Sequence, residues 1–117
     1  MSIAELLERH FQAYNDHELD AFLATMSDHV ELITHPNPES TLRGKEAVRT
    51  HYRDKRFCIP DLRSELLSRV ICGSTAVDHE RIFGLGPEPI EAVLAYDVED
   101  GLIARVRVLA TGPSTVR

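Results

Sequence analysis

Three histidines stand where an imidazole could move a proton. His10 shares an i, i+3, i+4 stripe with Leu6, Leu7 and Tyr14, which turns it toward the interior. His35 follows the apolar run Val30 to Thr34 and precedes Pro36. His79 sits in Val77-Asp78-His79-Glu80-Arg81, the most charged stretch inside any segment that reads as a strand. An imidazole with its ordinary pKa of ~6.5 suits general acid–base work at neutral pH. A structural reading stands beside each: His10 as a core histidine satisfied by a backbone carbonyl, His35 as a loop residue capping a turn. Zinc catalysis does use three histidines and a water, but these three lie on separate elements without a short-range spacing signature. No metal is expected.

The elements that must carry these residues follow from periodicity and punctuation. Ser2 to Tyr14 reads as an amphipathic helix, with Ser2 and Glu5 forming a capping-box pattern at its start. Asn15-Asp16-His17 ends it. A second helix is expected from about Glu18 to Met26, a short strand from Val30 to Thr34, and turns through His35-Pro36-Asn37-Pro38. Gly44 introduces a third helix, Lys45 to about Arg53, with Ala47, Val48, His51 and Tyr52 available to face inward.

Beyond Pro60 the texture changes to strands. Leu62 to Cys72, Thr75 to Phe83, Pro89 to Val98 and Leu102 to Ala110 are separated by glycine-bearing turns. Gly73-Ser74 and Asp100-Gly101 are short enough for hairpins. Helices first and an antiparallel meander after predict an α+β fold with helices on one face of a sheet. No helix-length segment separates the last four strands, which excludes a parallel α/β fold.

Composition bounds the rest. A length of 117 residues suits one domain spanning 1–117, and 43% hydrophobic against 27% charged residues is an ordinary globular mix. A net charge of −6 argues against binding a phosphate backbone, so no nucleic-acid partner is expected. No apolar run approaches a membrane span and no basic-then-apolar leader precedes the first helix, so a cytoplasmic chain without membrane contact is expected. Cys58 and Cys72 are too few and too far apart for a disulfide scaffold, and both are expected as reduced thiols.

The order of elements resembles the nuclear transport factor 2-like superfamily, in its SnoaL-like, ketosteroid-isomerase-like branch. The resemblance rests on Tyr14-Asn15 with Glu18-Leu19-Asp20-Ala21-Phe22, and on Gly44-Lys45-Glu46-Ala47-Val48-Arg49. It continues through Val77 to Arg81, Glu91-Ala92-Val93 and the final hairpin Tyr96 to Ile103, covering nearly the whole chain. It implies three helices laid into a strongly curved, cystatin-like sheet, a cone with a pocket at its open end, and a homodimer paired through the outer sheet face.

Carried over residue by residue, the isomerase positions survive only in part. His10 stands where those enzymes have a tyrosine, the base position falls at His35, and the protonated aspartic acid falls at Leu94 or Ala95, which cannot donate. A steroid isomerase of the known kind is therefore not expected.

Alternation along Thr75 to Phe83 puts Val77, His79 and Arg81 on one face and Ala76, Asp78, Glu80 and Ile82 on the other, with similar polarity on both. The resemblance favours His79 and Arg81 inside. Asp78 and Glu80 would then join Arg105 and Arg107 on the outer face, unless a bulge turns Asp78 into a buried pocket carboxylate. The expected pocket is lined by Leu7, Phe11, Phe22, Val106 and Val108, with Tyr14 and Tyr96 near its rim. His10, His35, His79 and Arg81 would supply its polar groups. The resulting expectation is a small enzyme with cofactor-free, histidine-centred acid–base chemistry on an apolar, carbonyl-bearing molecule. The competing expectations are a non-catalytic binding module and a dimeric scaffold with a collapsed cone.

Overall fold

The first helix, α1 (Ile3–Asn15), starts as its sequence dictates. Ser2 Oγ accepts from the Glu5 backbone N–H, and Glu5 Oε1 accepts from the Ser2 N–H, each at 3.1 Å. This reciprocal cap satisfies two of the helix's unpaired donors. The helix stops at Asp16, and His17 then takes a left-handed backbone (φ 56°). His17 Nε2 donates to Leu62 O at 2.7 Å and its ring stacks on Phe57, which fixes the turn against the rest of the fold.

The computed structural model describes residues 1–35 and 37–114; Pro36, within the expected turn region, lies outside the described residues. After α1 come α2 (Leu19–Leu23), β1 (Met26–Thr34), a 3₁₀ turn (Pro38–Ser40) and β2 (Leu42–Arg43). Then follow α3 (Lys45–Lys55), β3 (Arg63–Cys72), β4 (Thr75–Phe83), β5 (Ile90–Glu99) and β6 (Leu102–Pro113). The strands form one sheet in the order β2-β1-β6-β5-β4-β3. Every neighbouring pair is antiparallel except β1 and β6, which run parallel. The α+β architecture expected from helices followed by a meander is the one observed. Asp100 and Gly101 both adopt positive φ, as a tight Asp-Gly hairpin between β5 and β6 requires.

Several elements differ from the sequence reading, and β1 begins at Met26, four residues before the expected Val30. The second helix was expected to reach Met26 but ends at Leu23, because the Ile103 N–H donates to Thr25 O and Met26 already pairs with Ile103. Sheet pairing there overrides the helical spacing of Leu19, Phe22, Leu23 and Met26. The two-residue strand β2 is too short to leave a periodic signal. The last strand continues to Pro113 opposite Ile90, where a proline is tolerated because the strand ends.

The core lies between the helices and the inner face of the sheet. Leu7, Phe22, Val30, Val48 and Ile103 are each 1% exposed or less. Among the described residues no helix is long and apolar enough to cross a membrane.

One turn is held by close packing. Gly84 has φ 99°, and a Cβ there would lie 2.8 Å from Leu62 N and 2.9 Å from Asp61 C. Both neighbours are backbone and cannot swing aside. Gly84→Ala should therefore destabilise the fold by about 1–3 kcal/mol. A lowered urea midpoint at unchanged slope is the expected observation, and an unchanged midpoint would refute it.

Candidate functional site

The inner face of the sheet is set by cross-strand pairing. Asp78 faces Leu94, Glu80 faces Ala92 and Ala76 faces Tyr96, with no register shift between β4 and β5. Because Tyr96, Leu94 and Ala92 belong to the apolar interior, their partners Ala76, Asp78, Glu80 and Ile82 go inside with them. In β3 a bulge between Leu66 and Ser68 changes the alternation, so that Arg69 arrives on the same face opposite Asp78.

Between this face and helices α1 and α3 lies a cavity of about 360 Å³. Phe11, Tyr14, Phe22, Leu32, Leu94, Val106 and Val108 give it an apolar wall, and His10, Glu80, Tyr52, Tyr96, His51 and Arg56 supply polar groups. This is the size and lining of a site for a small organic molecule.

Glu80 is the carboxylate of the cavity. Its side chain is buried, with Oε1 accepting from Ser64 Oγ–H at 2.9 Å and Oε2 accepting from the Tyr96 hydroxyl at 3.2 Å. Ser64 is itself held by Asn15, which exchanges two hydrogen bonds with its backbone in the manner of a neighbouring strand. Burial pushes the Glu80 carboxyl up to about 7; the Ser64 hydrogen bond opposes that shift and the nearby Asp78 adds to it.

Asp78, two residues earlier, has a different environment. Arg69 grips it with both arms of its guanidinium, Nε to Oδ1 at 2.7 Å and Nη2 to Oδ2 at 2.8 Å, while Nη1 reaches Glu8 at 3.0 Å. Of two adjacent buried acids, one is gripped by a cation, and the other is bonded to two hydroxyls and to its acidic neighbour with no cation on it. Such a contrast separates a structural ion pair from a group poised to titrate near neutrality.

His10 is buried and neutral. Thr25 Oγ1 gives its own proton to Phe22 O at 2.6 Å, so the 2.8 Å contact between it and His10 Nδ1 requires the proton on Nδ1. The Nε2 lone pair is then bare, with no donor among the described residues. Burial, helped by the charge of Arg69, lowers the imidazole to about 3. The ring stacks on Phe22 at 4.3 Å and meets the Tyr96 ring edge-on at 5.6 Å. It is a hydrogen-bond acceptor on the cavity wall and a poor base.

The tyrosine hydroxyls stay protonated. Burial is the main cause in each: Tyr52 is pushed up to about 12, and Tyr14 and Tyr96 lie above the ordinary tyrosine value.

The expected site residues divide accordingly. His10, Phe11, Tyr14, Phe22, Tyr96, Val106 and Val108 all line the cavity, whereas Leu7 is packed in the core beside it. His79 and Arg81 are on the outer face, a correction to the inward placement. His79 Nε2 contacts Glu91 Oε1 at 2.6 Å, and Arg81 reaches Ser114 and Glu65. Asp78 and Glu80 occupy the inner face, a correction to their expected pairing with Arg105 and Arg107; those two arginines bind Asp97 instead. Asp78 is buried without a bulge in its own strand. His35 is exposed beyond the end of β1 and is not part of the lining; its backbone N–H donates to Val108 O. The three imidazoles therefore do not converge, and among the described residues no group of three potential ligands could hold a metal.

Glu80, Ser64 and Thr25 were missed as site residues. The signal that could have found Glu80 was the pairing of its strand with the more apolar Ile90 to Tyr96, which decides the face.

Comparisons with known proteins agree with this architecture. No curated protein matches the sequence. A cystatin-fold protein from Novosphingobium aromaticivorans superposes with a TM-score of 0.82 at 21% identity, covering 94% of this chain and 99% of its own. A Kribbella flavida protein provisionally named a ketosteroid isomerase gives 0.78 at 20% identity, covering 97% of this chain and 82% of its own. A provisionally named polyketide cyclase from Sinorhizobium meliloti gives 0.78 at 18%, covering 89% and 93%. At these identities the likeness is one of fold. The family model of the SnoaL-like domain matches residues 7–106, from the first helix to the last strand, so this chain, with its nuclear transport factor 2-like and cystatin-like fold, belongs to the SnoaL-like domain family.

Proposed function

We propose that the cavity binds an apolar, carbonyl-bearing small molecule and that Glu80 exchanges a proton with it, in an isomerase- or lyase-type reaction. The observation that carries this reading is the buried Glu80 carboxyl, raised to about 7, on the wall of an otherwise apolar cavity. A weakly acidic C–H beside a carbonyl needs a base of such strength, and the developing enolate oxygen needs protonated donors. Tyr14 and Tyr52 are such donors, while the bare Nε2 of His10 orients a hydroxyl or N–H of the ligand. The provisional isomerase and cyclase names of two structural neighbours accord with this class of chemistry.

One observation favours a second reading, a binding module without turnover. Both oxygens of Glu80 already accept a protein hydroxyl, as a purely structural carboxyl would.

Solvent hydrogen exchange separates the two. Apolar cyclic ketones and enones incubated with the protein in heavy water should take up deuterium next to the carbonyl, at a rate rising with pH through a midpoint of about 7. Ligand binding without uptake in any member would retire the catalytic reading and leave the module.

A further inference from the structure

Arginine pairing in this protein follows a rule that Arg56 breaks. Among the described residues, the half-buried arginines Arg49, Arg69, Arg81, Arg105 and Arg107 each contact a carboxylate. Arg56 is also half-buried, yet its guanidinium bonds only a backbone carbonyl, Nη1 to Lys55 O at 2.9 Å, and Nε and Nη2 have no acceptor among the described residues. It caps the C-terminal end of α3, a position where a cation is favoured, and it forms part of the cavity wall.

The cavity is consequently polarised. Its acid is Glu80, held by hydroxyls, and its permanent cation is Arg56. The Tyr14 and Tyr52 hydroxyls feel the charges of both. His51 lies on the same wall and is kept toward its neutral form, by burial first and then by Arg56 and Lys55, so it adds a hydrogen-bonding edge rather than a second charge. A neutral apolar ligand would leave a guanidinium fork unanswered on the wall of its own site. A carboxylate fits that fork with two parallel N–H···O bonds and balances its single charge. A phosphate dianion would call for more cations than this wall provides.

We propose that the natural ligand is an apolar molecule bearing a carboxylate, and that Arg56 is the residue that selects for that group. The inference rests on the cavity being the ligand site, but not on any proton transfer at Glu80.

Matched pairs test it: naphthoate, phenylbutanoate and benzoylpropanoate, each against its primary amide, titrated at about pH 6 where the acids are ionised. Acids should bind about 10–100-fold more tightly than amides, the range of a charge-assisted pair. Arg56→Gln should bring the ratio close to one, and Arg56→Lys should keep a reduced preference, because charge remains and the fork is lost. In the unmodified protein the Arg56 Nε–H resonance should shift on titration with naphthoate, a readout that does not depend on a variant folding. The proposal is overturned if no acid outbinds its amide, if the ratio survives in Arg56→Gln, or if that resonance stays in place. Acid preference without deuterium uptake would remove the catalytic reading alone; uptake without acid preference would remove this one alone.

Discussion

Glu80→Gln will slow deuterium uptake into ketone ligands by about 10²–10⁴-fold, the contribution of a positioned general base, while making the protein more stable at alkaline pH. The two effects have one origin. In the unfolded chain the carboxyl titrates near its ordinary value of 4.5, and in the folded protein near about 7. Between these values the folded state holds a proton that the unfolded state has released, so stability falls as pH rises through the window and the loss is complete above it. A shift of this size corresponds to about 3 kcal/mol. Glutamine has nearly the shape of the protonated acid, still offers an oxygen to Ser64 or Tyr96, and does not titrate. Above neutrality the variant should therefore melt roughly 10–15 °C higher than the parent, with the difference shrinking toward acid pH. Calorimetry across pH, run beside the exchange assay, checks both halves. A variant that keeps its exchange rate, or whose melting shows the parent's pH dependence, would remove Glu80 from the role given to it.

Asp78→Ala acts in the opposite direction and should cost about 3–5 kcal/mol, the range for breaking a buried ion pair on one side. Asp78 is 1% exposed and takes both arms of Arg69, whose side chain is 11% exposed. Removing the acid leaves a guanidinium in the interior with only the exposed Glu8 to answer it. That loss is a large part of the 5–15 kcal/mol that holds an ordinary domain together. Replacing both partners by apolar residues of similar volume, Arg69→Met with Asp78→Leu, should recover much of it, because neither charge is then stranded. Urea unfolding of the single and double variants is the measurement. A single variant within about 1 kcal/mol of the parent would show that the pair is solvated in practice.

How much of this was legible in the sequence depends on whether local pattern or long-range pairing decides. The capping box of Ser2 and Glu5, the inward His10 and the Asp-Gly hairpin are local features, and each appears where the residues put it. The acids of β4 were not legible in this way. Val77 to Arg81 alternates between two faces of similar polarity, and the choice belongs to Tyr96, Leu94 and Ala92 on the neighbouring strand. The bulge after Leu66, which delivers Arg69 to Asp78, falls in a run without glycine or proline to announce it. His35 drew attention because a proline follows it, but it lies one residue beyond the end of β1 and is exposed.

The parallel seam between β1 and β6 also has a consequence for the order in which the molecule is made. The last four strands pair with sequence neighbours and can zip as successive hairpins, whereas β1 pairs with a strand some seventy residues later. Closing so long a loop precedes any contact that rewards it, so the docking of β1 is expected to be the slow event in folding. On the ribosome the N-terminal helices and β1 emerge first and wait, with one edge of β1 unpaired, until the final strand leaves the exit tunnel. The cavity spans that seam, with Leu32 on one side and Val106 and Val108 on the other. A nascent chain therefore has no such cavity until β6 has emerged.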